Sequence, residues 1–414
     1  MQPKPVKRIE NFEEMAFGIF VHWGLYSIEA RGEWTMLLHN TPKEEYALLA
    51  DQFDASAYDP KRFVQNAKNA GAKYITLTSK HHDGFFLYDG KDISDYNAVN
   101  HAPKRDLLKE FVDACNEADI MPMFYHATYE FDHPMWEDDF QEGYLDYIMK
   151  SVKLLCTNYG KIGGLWFDGN WAKLDADWRV DELYSLIRKH QPEALIIDNT
   201  GLGAQGKFGH PEIDSVTFEQ GLPHPIDRTG HAKYVAGEMC QTTNNHWGLA
   251  TMDFNYKSTK ELIETLCACR KLGANYLMNV GPDADGNMTK MQEAMLEVIG
   301  QWMDIHGEVI YQGRPCEIQT EEKKDFALKG CEDHHYLFIH DLGIAADSNV
   351  IEHRDFKNPR TFTQVKQEIK RIEWLDNEED LRFDQDLEAG TLTLHPTHYR
   401  YGIDLVVRIA KVYY

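Results

Sequence analysis

Basic residues are scarce in this chain, cysteines are few and odd in number, and no long apolar run exists. Lys and Arg total 43 against 67 Asp and Glu in 414 residues, leaving a formal charge of −24. A surface this acidic repels phosphate backbones, so nucleic acid is not an expected partner. No segment approaches the roughly 20 apolar residues of a bilayer-crossing helix, so no membrane partner is expected either. The cysteines are Cys115, Cys156, Cys240, Cys267, Cys269, Cys316 and Cys331, too scattered for a disulfide framework. Cys267 and Cys269 fall within a helical pattern and lack the spacing of a zinc knuckle. They read as free, mostly buried thiols of a reducing compartment. Residues 1–8 show no apolar run after their charges, so no leader is expected and the predicted location is cytoplasmic. No internal repeat or low-complexity segment is present.

What remains is enough apolar material for a large core plus a second domain. From residue 14 to about 306, strand-like and helix-like segments alternate. Apolar runs at 120–125, 165–167, 194–197, 234–239 and 276–280 lie between helical patterns at 104–118, 141–158, 179–190, 258–272 and 289–306. Thr41-Pro42-Lys43-Glu44 reads as a further helix start, with proline in the first turn. Such alternation favours parallel βαβ units, although eight clean repeats cannot be counted. Residues 200–232, rich in Gly, His and Pro, read as a long loop. Beyond Gly307 short apolar stretches such as 336–340, 369–374, 391–394 and 404–409 alternate with charged turns, the pattern of an antiparallel β-sandwich. The expected domains are 1–308 and 309–414.

Three strand ends attract attention. Leu165-Trp166-Phe167 delivers Asp168 and Gly169; Phe17-Gly18-Ile19-Phe20-Val21 runs into His22-Trp23-Gly24; Tyr74-Ile75-Thr76-Leu77-Thr78 runs into Ser79-Lys80-His81-His82-Asp83-Gly84. In a parallel barrel, chemistry gathers at the C-terminal ends of the strands, so these polar ends predict one pocket. Its aromatic residues suit the faces of sugar rings. Asp168 alone is equally readable as a turn residue. His81 and His82 point to opposite faces if the strand continues through them, and both reach the pocket if it ends before them. Asp283-Ala284-Asp285-Gly286-Asn287 resembles a calcium loop, but its glycine offset is wrong and it reads as a turn.

Those segments, taken with Gly32-Glu33-Trp34, Gly237-Glu238-Met239-Cys240, His246-Trp247-Gly248 and Asn275-Tyr276-Leu277-Met278-Asn279-Val280-Gly281-Pro282, resemble the α-L-fucosidases of glycoside hydrolase family 29 in order and content. The resemblance implies a distorted (β/α)8 TIM-like barrel followed by a C-terminal antiparallel β-sandwich. It also implies retaining hydrolysis of terminal α-linked L-fucose, with no cofactor and no metal. Carried over by position, Asp168 is the nucleophile. His22, Glu33, Trp34, His81, His82 and Tyr125 hold the sugar, with Trp166 in the pocket and Trp247 near the sugar's methyl group. The expected partner is a small fucosylated oligosaccharide or glycoside; a homo-oligomer stays open.

Retaining glycosidases need a second carboxyl group close to the first. Glu219 keeps the family's flanking residues in Asp214-Ser215-Val216-Thr217-Phe218-Glu219-Gln220-Gly221-Leu222-Pro223, with Phe218 replacing a proline, and is taken as the acid/base. Glu212 and Glu238 stay as alternatives. Two departures stand out. The strand after the nucleophile ends Ile197-Asp198-Asn199-Thr200, without the family's arginine, leaving Asn199 or His210 to cover that side. Phe124-Tyr125-His126-Ala127 replaces a Tyr-Tyr-Ser strand end and makes His126 a candidate pocket donor. Trp171 is undecided between core and pocket. The competing classes are a catalytically silent fucose-binding barrel and a metal-dependent barrel hydrolase built on His22, His81, His82 and Asp168.

Overall fold

The computed structural model describes residues 3–330, 334–347, 349–351 and 358–414; Cys331 lies outside them. Eight parallel strands close into a barrel: β1 Phe17–Val21, β2 Tyr74–Lys80, β3 Met121–Ala127, β4 Gly164–Asp168, β5 Leu195–Asp198, β6 Ser215–Glu219, β7 Ala236–Gln241 and β8 Asn275–Val280. Closure comes from β1 pairing with β8, from Phe17 opposite Tyr276 to Val21 opposite Val280. The strands are buried almost throughout, as parallel strands covered on both faces must be.

The sixth strand is the one the sequence hides. Residues 215–219 fall inside the stretch expected to be loop, yet they pair with β7 over their whole length. Their inward positions, Ser215, Thr217 and Glu219, are polar, so no apolar run announces the strand. Neither β5 to β6 nor β6 to β7 is bridged by a helix. The β5–β6 ladder has one residue pair, Ile197 with Ser215.

The barrel interior is filled by Phe20, Tyr74, Met123, Tyr125, Trp166, Leu195, Ile197 and Leu277, together with Ile9 and Phe12 from the helix Lys7–Met15. Gly18 makes room for this packing: a Cβ there would lie 2.4 Å from the Tyr74 ring. The helix Leu107–Ala118 forms as its apolar spacing predicts, with Asp106 capping the Lys109 N–H at 2.8 Å. Thr41-Pro42-Lys43-Glu44 behaves differently from the expectation. Pro42 is extended at the N-cap position, so Thr41 caps nothing and the helix covers only Lys43–Tyr46.

Two compact units emerge: Met1–Lys257 with Asn275–Glu297, and Ser258–Ala274 with Val298–Tyr414. Residue 308, the expected limit of the barrel domain, lies within the helix Lys290–Gln312. In the second unit a five-stranded and a four-stranded antiparallel sheet share one core of Ile318, Leu337, Ile339, Phe362, Ile372, Trp374, Leu392, Leu394 and Val412. This is the expected sandwich, supplemented by a two-residue parallel ladder between Ile344–Ala345 and Tyr399–Arg400. Cys115, Cys156, Cys240, Cys267 and Cys269 are buried free thiols, and Cys316 is half-buried.

Candidate active site

Each barrel strand ends at the same rim, and a cavity of about 670 Å³ opens there. His22 follows β1 directly. β2 slips register between Thr78 and Lys80 and ends, so His81 and His82 both turn to the cavity. Tyr125 comes from β3, Trp166 and Asp168 from β4, Asn199 from the end of β5, Glu219 from the end of β6, and Trp247 from the loop after β7. Gly169 lets the chain leave β4 sharply: its φ is +126°, and a Cβ would lie 2.3 Å from the Tyr129 nitrogen.

Asp168 is held almost wholly by side-chain donors. Tyr125 donates its hydroxyl to Oδ2 at 2.9 Å, with His82 Nε2 3.3 Å from the same oxygen. Trp171 Nε1 donates to Oδ1 at 2.7 Å and Asn199 Nδ2 at 3.1 Å. Burial pushes the carboxyl pKa upward. The hydrogen bond and charge of His82, then the Trp171 and Tyr125 donors, outweigh it and leave the group below its usual value. Asp168 is therefore an ionised carboxylate at neutral pH, and no lysine or arginine is paired to it among the described residues.

Glu219 stands beside it. Asn199 Nδ2 donates to Glu219 Oε2 at 2.9 Å as well as to Asp168 at 3.1 Å, so the two acids share one amide nitrogen. Burial and the nearby Asp168 charge raise the Glu219 pKa to about 7. An elevated pKa does not single it out, because burial also brings Glu238 and Asp198 to about 7. Position does. Glu238 lies two residues deeper, opposite Thr217, where it accepts from Tyr74 at 2.6 Å and from Trp166 Nε1 at 2.8 Å. Glu212 precedes β6 at the opposite end of the barrel and pairs with Arg188 at 2.9 Å. Of the three glutamates only Glu219 lines the cavity.

The remaining candidates sort by which way their strand or loop faces. His22, Trp34, His81, His82, Tyr125, Trp166 and Trp247 line the cavity. His22 Nδ1 sits 2.7 Å from Asn279 Oδ1, and burial drops its pKa to about 3, so it works as a neutral imidazole. The Nδ1 of His81 is buried without a partner. Glu33 is not part of the lining; its Oε2 accepts the Trp247 and Gly248 N–H groups at 3.0 and 2.9 Å and so sets the Trp247 loop. His126, expected as a pocket donor, points the other way. It follows the inward Tyr125 by one residue, so strand alternation turns it to Ser151 of the helix Leu145–Asn158, 2.8 Å away. His210 pairs with Asp181 at 2.8 Å outside the cavity, so of the two residues expected on that side only Asn199 lines it. Asp283 and Asn287 close a turn. Trp171 proves to be a pocket residue through the 3-10 turn Asn170–Lys173, which swings its indole back over Asp168. Phe20, inside the first motif, also lines the cavity, as do Leu174, Leu202 and Lys207, which no motif signalled.

The arrangement can bind a small polyol with an apolar face and offers it one ionised carboxylate and one carboxyl that keeps its proton up to about pH 7. Comparisons with known proteins agree with it. The family model for α-L-fucosidase matches residues 3–308. The tissue α-L-fucosidase of Mus musculus is 28% identical over 418 residues, covering 93% of this chain and 87% of that protein. The solved isoenzyme 1 of α-L-fucosidase from Paenibacillus thiaminolyticus is 30% identical with a TM-score of 0.83, covering 98% of both chains. A Bacteroides thetaiotaomicron α-L-fucosidase structure, 22% identical, covers 100% of this chain and 96% of its own with a TM-score of 0.82, a likeness of fold. The match over three-quarters of the sequence and the acid pair at the barrel rim lead to one conclusion: this chain belongs to the α-L-fucosidase family of glycoside hydrolases.

Proposed function

We propose that the chain releases terminal α-L-fucose from small glycosides by double displacement, with Asp168 as nucleophile and Glu219 as acid/base. Asp168 attacks the anomeric carbon as the glycosidic C–O bond breaks, and Glu219 transfers its proton to the departing oxygen. In the second step the Glu219 carboxylate removes a proton from water, whose oxygen displaces Asp168 from the same carbon. The carrying observation is the amide nitrogen of Asn199, 3.1 Å from one acid and 2.9 Å from the other. The facing oxygens are therefore no farther apart than the sum of those distances. Two acids close enough to share one nitrogen are compatible with the ~5–5.5 Å separation of a retaining pair.

Hydrogen-bond donors suit this chemistry: a lysine or arginine pair would blunt the nucleophile, whereas Tyr125, Trp171, Asn199 and His82 keep it ionised and oriented. Fucose brings hydroxyls for His22, His81 and His82, and an apolar methyl for Trp247 and Phe20. Productive protonation needs Asp168 ionised and Glu219 protonated. Turnover in kcat/KM is therefore lost as pH rises through about 7, the Glu219 value, and again as pH falls through the depressed value of Asp168. The deciding experiment is hydrolysis of a chromogenic α-L-fucoside by the purified protein beside Asp168→Ala. An inert wild type that cleaves other glycosides overturns the substrate assignment.

A further inference from the structure

We propose that Asn199 is the positioning residue that fixes which oxygen of Glu219 bears the acid proton, in the place of the arginine this chain lacks. The inference rests on the assignment of Asp168 and Glu219 above. Its starting point is the orientation of one amide. The Gly201 backbone N–H, which can only donate, lies 3.2 Å from Asn199 Oδ1, and the Thr217 hydroxyl donates to the same oxygen at 3.0 Å. With the carbonyl end so identified, the NH2 end must face the two acids. One of its hydrogens goes to Asp168 Oδ1 and the other to Glu219 Oε2. Asn199 is itself only 4% exposed, so water does not replace these contacts.

An oxygen that accepts an N–H is the poorer site for a proton. The acidic hydrogen of Glu219 is thereby confined to Oε1, the oxygen left to meet the leaving group. Asn199 supplies no charge and cannot titrate, unlike an arginine, so it favours the ionised form of both acids only modestly. That moderation lets Glu219 keep its proton near neutral pH beside an ionised neighbour. The other groups acting on Glu219 are Asp168 and Glu33, which favour its proton, and His82, which disfavours it. Tyr125 and, across the β6–β7 ladder, Cys240 also face the Glu219 charge, and Lys207 lines the same cavity.

The test is the pH profile of kcat/KM for Asn199→Ala and Thr217→Val, using 4-nitrophenyl α-L-fucoside and a fucoside with a poor leaving group. Without the amide, Glu219 loses the donor on Oε2, so the basic limb moves up by on the order of one pH unit in Asn199→Ala. In Thr217→Val, which frees the amide to flip, the shift has the same direction and is smaller. The poor leaving group suffers the larger fall in kcat, because it depends on a correctly placed proton. An unmoved basic limb, or equal losses on both substrates, overturns the proposal. Azide rescue of Glu219→Ala separates the two levels: rescue with an unmoved limb rejects only the role of Asn199, while absent rescue rejects the acid/base assignment beneath it.

Discussion

Two aspartates, one fully buried and one half-buried at opposite ends of the barrel, show how the same residue type is put to opposite uses. Asp214 enters β6 from below and is fully buried among three cations: Arg8 at 3.0 Å, Lys233 at 2.8 Å and Arg188 at 2.7 Å. It also accepts the Ile196 N–H at 3.0 Å, tying β5 to β6 where the strands themselves share one residue pair. Asp168 leaves β4 at the top, keeps 14% of its side-chain surface, and meets Tyr125, Trp171 and Asn199 with His82 instead of any strong cation. A carboxylate surrounded by three fixed cations is locked; one held by three neutral donors and a single histidine stays ionised yet free to form a bond. The bottom of the barrel is built to hold, the top to react.

Four substitutions test that contrast. Asp168→Ala should lower kcat on a chromogenic α-L-fucoside by about 10³-fold or more, with the unfolding midpoint in urea close to wild type. Azide should then restore turnover with inverted product. Asp214→Ala should do the reverse. Removing one partner of a buried charge cluster costs about 3–5 kcal/mol, read as a shift in urea unfolding, while the folded fraction keeps its kcat. Glu219→Ala should cost about 10²–10³-fold on poor leaving groups and much less on activated ones, with azide rescue giving retained product. Glu212→Ala should do least: its carboxyl is 46% exposed, so losing the Arg188 contact costs about 1 kcal/mol or less and leaves the pH profile unchanged. Catalytic loss in Asp214→Ala, or unfolding in Asp168→Ala, would erase the distinction between the two ends.

Much of the barrel could be read from the chain because most of its strands are apolar runs. β6 escaped that reading because Ser215, Thr217 and Glu219 give it a polar inner face, and the barrel rather than local preference makes it a strand. Asp168 was visible as an acid at the end of a buried run. The choice among Glu212, Glu219 and Glu238 was not forced by sequence alone, since all three flank or occupy strands. Depth along the barrel axis separates them: Glu238 sits opposite Thr217, two residues below the rim level of Glu219, or about 7 Å at strand rise. Parity decided against His126 for the same geometric reason. Trp171 and Asn199 reach Asp168 through a 3-10 turn and an amide orientation, neither of which leaves a periodic trace.

In the proposed double displacement Asp168 and Glu219 act on one sugar as a single retaining pair. Proton NMR of the first-formed product, recorded before the anomers equilibrate, tests it most directly. The structure predicts that α-L-fucose appears first and the β anomer grows in only by mutarotation. Initial release of β-L-fucose would contradict the double displacement and leave Asp168 as a base rather than a nucleophile.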